Sequence, residues 1–446
     1  MMRDMLCIDF GNSFTKVAVR KGTENPSALL SDAGVTTDDL LHSCVPTVAA
    51  QLGGNQWFYG LEVETFQEGV EGLVVHRNWK PQFFLSPIHQ LIPGITGATT
   101  GAPRRRGRPK KVAPPIDYDG IGVGYFRWLR NYWDAPCIMV TGKPCSQIPV
   151  RVTLPSFGAQ SGAELKLKNI LAEAGWTFDD SFPVLPEPLA NVIGALSNGA
   201  NHRHPKVNQA DYGQMFRETG LFQRMRQAVL ADGAKVAWTL IVDVGGFTTD
   251  FAMLGIDLTL LSAELAGEID GKPGLKHYSK ALGIADLDRR VRGVIPAAKQ
   301  GAFDEILAKP GTRRLEGFHE NVYGRTTRQV LKRGVVAGET EAERTAIRHV
   351  IAEFAGEVAD GTEEFLNYHN YDRIDDVILT GGGTMIPEIR DTLMTRLKYY
   401  GYRVAHCHIP TGEDAKPPFR RLSRQLPRGG TAIGGTSLYF DYALER

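Results

Sequence analysis

The chain has 446 residues, of which 42% are hydrophobic and 23% are charged, and its formal net charge is +1. This length suits two domains of about 150 to 250 residues, and the near-zero charge excludes an overall field that would draw the whole molecule to nucleic acid or to a membrane. The five cysteines form no C-x-x-C pair, and neither a signal peptide nor a membrane-spanning apolar run is recognised, so we expect a cytoplasmic protein without structural zinc, disulfides or membrane contact.

Predicted strands and helices alternate along the chain. In the first half, the residue pattern predicts a hairpin at 5–10 and 14–19, a hairpin around 53–60, a loop at 93–115, a strand at 150–154, a helix at 163–174 ended by Gly175, and a helix opened by Pro186. In the second half, it predicts an insertion at 198–232, a hairpin at 238–243 and 248–254, a largely helical stretch at 275–364, a strand at 377–379, and a helix from Pro387 to near Gly401. This alternation predicts an α/β fold.

Two distant stretches of the chain repeat each other: I-D-F-G-N-S-F-T-K-V-A-V from Ile8 and V-D-V-G-G-F-T-T-D-F-A-M from Val242. Each has the order of a β-hairpin whose glycine-bearing tip can approach a phosphate. A single Asp-x-Gly indicates only a turn, and that is the alternative here, but the two stretches also agree on both flanks. We therefore expect one polyphosphate to be held between two halves of the protein.

The chemistry of these two turns divides the candidate residues into two groups. Bare backbone N–H groups can donate to phosphate oxygens, and the residues expected to do so are Gly11, Asn12, Ser13, Gly245, Gly246, Thr248 and Thr249. Asp9 and Asp243 cannot bind phosphate directly, because like charges repel, but they can hold a hydrated magnesium ion that contacts it. Lys16 would bring a positive charge to the terminal phosphates, and its alternative is a solvated strand lysine.

A third glycine-rich turn, Thr380-Gly381-Gly382-Gly383-Thr384, follows one predicted strand and precedes a predicted helix. Such a turn suits an anion or a purine that packs against bare backbone. The flexible thioether of Met385 would cover one face of the base.

Together, the two Asp-Gly hairpins, P-E-P-L-A-N and T-G-G-G-T-M-I-P resemble the motifs of the actin-like ATPase superfamily, which also includes heat-shock chaperone ATPases and sugar kinases. In that comparison the first hairpin corresponds to the phosphate-1 motif, 242–250 to phosphate-2, Glu187 to connect-1, 381–387 to the adenosine motif, and 429–435 to connect-2, after which a final helix returns to the first domain. Within the superfamily, D-V-G-G-F-T-T-D and N-Q-W-F-Y-G-L-E are most similar to bacterial and archaeal proteins of the ParM/StbA type.

This resemblance implies two ribonuclease H-like domains around a nucleotide cleft, 1–190 completed by 433–446 and 191–432. It implies magnesium-dependent ATP hydrolysis, with Asp9 and Asp243 organising the hydrated ion and Lys16 at the outer phosphates. Glu187 would orient or polarise the attacking water, and its alternative is a helix cap. The residues implied to line the adenosine pocket are Gly381, Gly382, Gly383, Thr384 and Met385. The chain departs from the pattern at Asn12-Ser13-Phe14, where relatives often have smaller residues.

The predicted loop contains a basic run at 104–111, with six cations in eight residues. Its centre, R-G-R-P, resembles the AT-hook of minor-groove DNA binders, in which Arg106 and Arg108 would lie along a narrow A·T groove. The alternative is a solvated basic linker.

The leading functional hypothesis is an ATP-driven filament that acts in plasmid or DNA segregation, with an adaptor protein as a possible partner. No chaperone substrate-binding domain is recognised after connect-2, which lowers the chaperone alternative. A non-polymerising ATPase switch that recruits a protein or DNA partner remains open, and so does a small-molecule kinase, since fold alone does not determine function.

Overall fold

The computed structural model describes residues 3–22, 27–28, 44–54, 56–66, 70–88, 116–155, 162–179, 184–197, 233, 235–257, 262–263, 268–269, 272–308, 340–402, 404, 406–408 and 426–437. The basic run at 104–111 with Arg106 and Arg108, the rest of the loop at 93–115, and the insertion at 198–232 lie outside these residues.

The described strands fall into two groups along the chain. The first group is β1 (Met5–Phe10), β2 (Phe14–Arg20), β3 (Ser27–Ala28), β4 (Cys44–Pro46), β5 (Val48–Leu52), β6 (Gln56–Tyr59), β7 (Leu73–Arg77), β8 (Val150–Leu154) and β9 (Val184–Pro186). The second group is β10 (Val236–Val244), β11 (Thr249–Asp257), β12 (Ser262–Ala263), β13 (Glu268–Ile269), β14 (Lys272–Pro273), β15 (Leu275–Lys280), β16 (Asp376–Thr380) and β17 (His406–His408).

The helices connect and cover these strands. They are α1 (Leu61–Glu64), α2 (Lys80–Ile88), α3 (Tyr118–Thr141), α4 (Ala163–Glu173), α5 (Glu187–Ser197), α6 (Ile284–Val294), α7 (Ala297–Ala308), α8 (Glu341–Tyr368), α9 (Pro387–Tyr399) and α10 (Leu426–Gly435). None of the helices in the described ranges has both the length and the apolar composition needed to cross a lipid bilayer.

The two main sheets share one topology. The first has the order β3-β2-β1-β8-β9, and the second has the order β12-β11-β10-β16-β17. In each, the first strand of a hairpin pairs antiparallel with its partner and parallel with a later strand, β1 with β8 and β10 with β16. Both β1 and β10 are buried along their whole length, as expected for apolar strands at the centre of covered sheets. The α/β class predicted from the sequence is confirmed.

Each sheet packs against its own helices. In the first, α3 places Tyr125, Phe126, Leu129 and Trp133 in one core cluster with Phe10, and the ring centroids of Phe10 and Phe126 are 4.9 Å apart. In the second, α8 and α9 supply the corresponding apolar side chains. A smaller sheet, with the order β6-β5-β7, packs beside α3.

Most of the predicted elements form within the described residues, and the prediction of a largely helical stretch at 275–364 needs correction at one end. The stretch 275–364 is not helical at its start, because Leu275–Lys280 forms β15 and pairs antiparallel with β11. The glycine-rich stretch 429–435 lies within α10, and the helix expected after it falls on residues outside the described ones. The predicted boundary between residues 190 and 191 falls within α5, and the division into two domains stays a prediction.

Helices α5 and α10 cross with their backbones in contact, and glycines make this possible. A Cβ on Gly194 would lie 2.2 Å from the carbonyl oxygen of Gly430, and a Cβ on Gly434 would lie 1.8 Å from the carbonyl oxygen of Ala190. Real side chains do not tolerate such distances, so only glycine fits at these two positions. The crossing therefore fixes α5, which carries Glu187, against α10.

Two fully buried arginines hold the carboxyl end of α10, and we call them the arginine clamp. Arg20 Nε donates to the carbonyl of Thr436 at 2.6 Å, and Arg151 Nη1 donates to those of Gly435 and Ser437 at 3.1 and 3.2 Å. The last carbonyls of a helix carry partial negative charge and need donors. The clamp thus ties the end of α10 to β2 and β8 of the first sheet.

Candidate functional site

The first hairpin ends in a carboxylate and a lysine that face each other. Asp9 on β1 is paired in register with Lys16 on β2, and Lys16 Nζ donates to Asp9 Oδ2 at 2.8 Å. Both side chains are mostly buried. At the turn, a Cβ on Gly11 would lie 2.3 Å from the carbonyl oxygen of Phe14, so the turn accepts only glycine there. Lys16 is therefore an ion-paired residue at the mouth of the hairpin and not a solvated strand lysine.

The second hairpin holds two carboxylates opposite each other. Asp243 on β10 is paired in register with Asp250 on β11. The hydroxyls of Thr248, at 2.8 Å, and of Ser279 donate to Asp250. Burial, together with the negative charges of Asp250 and Asp9, raises the pKa of Asp243 to about 7. The site thus contains more negative charge than its own lysines neutralise.

The tips of the two hairpins lie against each other. The position that a Cβ on Gly246 would occupy is 3.5 Å from Asn12 Cβ and 3.6 Å from Ser13 Oγ. The structure therefore brings together the two repeated stretches that are more than 200 residues apart in the chain. Asn12 is buried at this meeting point, with 4% of its surface exposed.

Several groups of the second hairpin that the sequence assigned to phosphate form hydrogen bonds within the protein. The Gly245 amide donates to the Thr248 carbonyl at 2.9 Å, and the Thr248 hydroxyl donates to Asp250. The Thr249 hydroxyl donates to the Leu282 carbonyl at 2.5 Å. The turn residues at the contact between the hairpins are therefore Gly246 on one side and Asn12 and Ser13 on the other.

A buried ion pair that the sequence did not reveal adjoins the two hairpins. Lys80, the first residue of α2, donates through Nζ to Glu187 Oε1 at 3.1 Å, and their side chains are 3% and 13% exposed. Burial raises the pKa of Glu187, and the neighbouring aspartates oppose the lowering effect of Lys80. In the sequence, one local feature could have indicated that Lys80 is buried. Its cation lies between Trp79 and the apolar run at 83–85, and a solvated lysine is unusual in such a place.

Asn191 links α5 to the second sheet, and it was also missed from the sequence. Its Nδ2 donates to Asp243 Oδ2 at 2.7 Å and to Thr380 Oγ1 at 2.6 Å. Asn191 lies four residues after Glu187, so both side chains point from the same face of the helix. This spacing within P-E-P-L-A-N is the signal that could have identified it. Glu187 itself is the first residue of α5, so its capping role and its role in the ion pair coexist.

The third glycine-rich turn contributes bare backbone beside Asp243. Gly381 has φ +81°, and a Cβ there would lie 2.3 Å from Asp243 Oδ1. Gly383 is packed against Val244, whereas the space above Gly382 is open, with no heavy atom of the described residues within 4 Å of a Cβ placed there. The Thr384 hydroxyl donates to the Gly381 carbonyl at 2.8 Å and stabilises the turn. The structure does not describe the side chain of Met385, so its predicted contact with a base stays a prediction.

No protein-family model and no curated protein matches this chain. The resemblance noted in the sequence therefore stays a resemblance, and the geometry of the site has to be interpreted from its chemistry.

The charges of the site favour a divalent cation held through water. The carboxyl groups of Asp9, Asp243, Asp250 and Glu187 outnumber the ammonium groups of Lys16 and Lys80, and burial together with this crowding raises the pKa of Asp243 and Glu187, which a bound cation would lower again. Among the residues that the structure describes, no group of three or more histidine, cysteine, aspartate or glutamate side chains is arranged to hold a metal ion directly. Magnesium keeps several of its waters in proteins, so a pair of carboxylates on opposite hairpins fits a hydrated ion without such a cage.

Proposed function

We propose that this protein is a magnesium-dependent ATPase of the actin-like superfamily, similar to the ParM/StbA type, with a nucleotide bound between two ribonuclease H-like domains. One observation carries the proposal. Two sheets share one strand order, and β1 and β10, which occupy the same place in them, each carry a buried carboxylate next to their carboxyl end, Asp9 and Asp243. The turns that follow these strands meet at Asn12 and Gly246. A polyphosphate is the ligand that suits bare glycine turns flanked by acidic strand ends.

Each part of the site has a role in this proposal. Asn12, Ser13 and Gly246 approach the phosphates, and the open face above Gly382 receives the adenosine. Lys16 supplies positive charge beside Asp9. When bound, magnesium would neutralise charge on the phosphate oxygens, and Asp9 and Asp243 would hold its waters.

Glu187 is proposed to orient the attacking water. A carboxyl whose pKa is raised toward neutrality is suited to accept a proton or a strong hydrogen bond from water. The contact with Lys80 fixes Glu187 Oε1 and so orients the carboxyl plane. Phosphoryl transfer depends mainly on such positioning and on charge stabilisation.

An ATP hydrolysis assay that measures the released phosphate tests the proposal. Glu187→Gln is expected to bind ATP with unchanged heat in calorimetry but to hydrolyse it about 10²- to 10³-fold more slowly, and Asp243→Asn is expected to abolish hydrolysis. The matched controls are Asp304→Asn and Glu353→Gln, which alter exposed carboxylates and should leave turnover unchanged. Absence of ATP and ADP binding by the folded wild-type protein would refute the proposal.

We further propose that ATP binding closes the two halves and drives assembly into filaments that serve plasmid or DNA segregation. Closure around a ligand is a common route by which nucleotide state changes a protein's contacts. Light scattering and negative-stain electron microscopy, with and without Mg-ATP, test assembly. A protein that hydrolyses ATP but stays monomeric at high concentration would instead be a non-polymerising switch, and transfer of phosphate to a metabolite would identify a kinase.

A further inference from the structure

Asn12 has an unusual hydrogen-bonding state for a buried side chain. It is 4% exposed, and its Nδ2 donates to Asn78 Oδ1 at 3.3 Å. Its own Oδ1 is buried and has no hydrogen-bond partner within the described part of the chain. Leaving a buried acceptor unsatisfied is costly, and native proteins rarely do so. The amide oxygen of Asn12 is thus ready to accept a hydrogen bond from a ligand at the contact between the hairpins.

The partner of Asn12 is held in a strained backbone conformation. Asn78 has φ +51°, a left-handed value that asparagine tolerates better than most residues. The next two residues fix the segment, because the ring of Trp79 packs 5.5 Å from that of Phe10 and Lys80 enters the buried ion pair with α5. Strained residues persist where the surrounding structure enforces them, and they cluster at functional sites.

The chemistry of an amide oxygen limits which groups can form a hydrogen bond with Asn12 Oδ1. Ionised phosphate oxygens only accept hydrogen bonds, so they cannot bind to Asn12 Oδ1. The NH₂ group of Asn12 has two N–H donors, so it can donate to a phosphate while it keeps its bond to Asn78, but it cannot satisfy the oxygen. The oxygen needs a cation or an O–H or N–H donor, and the waters of a hydrated cation are such donors.

We propose that Asn12 Oδ1 accepts a hydrogen bond from a water of the magnesium shell, and that Asn78 is the positioning residue that keeps the amide in this orientation. The inference rests on the proposed function, since it requires a nucleotide with its cation at this site. It gives Asn12 a side-chain role that is separate from the backbone contact with phosphate expected from the sequence. The residues that lead from β7 into α2 then serve the site twice, through Asn78 and through Lys80.

The test compares two asparagines with the same backbone conformation. Asn78→Gly removes the acceptor for Asn12 and fits the left-handed backbone without strain. Asn370→Gly is the matched control, because Asn370 has φ +56° but follows α8 and precedes Tyr371, which packs on Trp238 near the start of β10 and not at the turn. Asn78→Asp keeps an oxygen acceptor and tolerates the same backbone, so it is the conservative variant that should restore the wild-type behaviour.

Manganese replaces magnesium as the probe, because the electron paramagnetic resonance signal of free Mn²⁺ measures metal binding without turnover. With saturating ADP, the Mn²⁺ concentration for half-saturation is expected to rise about three- to tenfold in Asn78→Gly, which is the usual effect of losing one hydrogen bond. The ADP affinity measured by calorimetry in a chelator should not change. Asn12→Ala should raise the Mn²⁺ requirement by a similar factor, and the double variant should not raise it further.

Each of the following results would overturn the inference. An unchanged Mn²⁺ requirement in Asn78→Gly would remove the positioning role. An equal loss of ADP affinity with and without metal would assign Asn12 and Asn78 to the phosphates or to folding, and so would additive effects in the double variant. If the wild-type protein binds neither ADP nor ATP under any condition, the proposed function fails first, and this inference fails with it.

Discussion

Replacing Lys80 with methionine removes one partner of an ion pair that the protein holds almost completely out of water. The two side chains, Lys80 and Glu187, are 3% and 13% exposed. Loss of one partner from a buried pair costs about 3–5 kcal/mol, because the remaining charge stays desolvated. Glu187 has a raised pKa, so it can take up a proton and relieve part of this cost. We therefore expect Lys80→Met to lower the free energy of unfolding by about 3 kcal/mol at neutral pH.

The double variant Lys80→Met/Glu187→Gln separates the effect of charge from that of packing. Replacing both partners of a buried pair with uncharged groups of similar size is often nearly neutral, so the double variant should unfold within about 1 kcal/mol of the wild type. The control is the exposed pair of Lys168 and Glu164, whose side chains are 33% and 55% exposed. There, Lys168→Met is expected to change stability by less than about 0.5 kcal/mol.

Equilibrium unfolding in urea, followed by tryptophan fluorescence, measures these differences. Trp79 is buried next to Lys80 in the chain and reports on this region. The variants should share the wild-type dependence on urea, which indicates that the same surface is exposed on unfolding. A Lys80→Met variant as stable as the wild type, or single effects that simply add in the double variant, would refute the argument that the two charges are coupled in a buried site.

Three further changes test other parts of the protein. Burial raises the pKa of Glu64 from 4.5 to about 7, so the folded state retains a proton that the unfolded state has lost. Stability should fall by about 2 kcal/mol as the pH rises through this interval, after allowance for partial solvent contact, and urea unfolding of Glu64→Gln should lack this fall. Gly434→Ala places a Cβ 1.8 Å from the Ala190 carbonyl oxygen, so it should lower stability by at least about 2 kcal/mol; a wild-type melting temperature would contradict the close crossing. The pair Arg106→Ala and Arg108→Ala should weaken binding to an A·T-rich duplex about tenfold or more in fluorescence anisotropy, and unchanged affinity would favour the linker alternative.

The sequence predicts the two hairpins well because their signals are local. Apolar runs, an aspartate and glycine at the turn are enough to specify β1 with β2 and β10 with β11, and their repetition predicts that they act together. The strand Leu275–Lys280 gives no comparable signal, since its side chains are only partly buried and it depends on pairing with β11. The sequence pattern there is outweighed by a tertiary contact.

The sequence does not predict the ion pair of Lys80 with Glu187 or the hydrogen bond of Asn191 to Asp243, and the reason is the distance along the chain. Lys80 and Glu187 are 107 residues apart, and Asn191 reaches Asp243 over 52 residues. The packing of α2 and α5 against the sheets brings these partners together. A local residue pattern does not reveal that packing. Asn12 was expected to offer its backbone N–H to phosphate, and its burial between the hairpin tips explains why its side chain matters as well.

The arginine clamp makes the final packing of the first sheet depend on a segment far along the chain. Arg20 leaves the ribosome 416 residues before Thr436, whose carbonyl it binds in the folded protein, and Arg151 precedes its acceptor in Gly435 by 284 residues. Burying guanidinium groups that lack part of their acceptors is unfavourable, so β1, β2 and β8 are synthesised early but are not expected to reach their final packing before Thr436 and Ser437 have been made. A chain that stops before residue 435 is therefore expected to remain open to proteases.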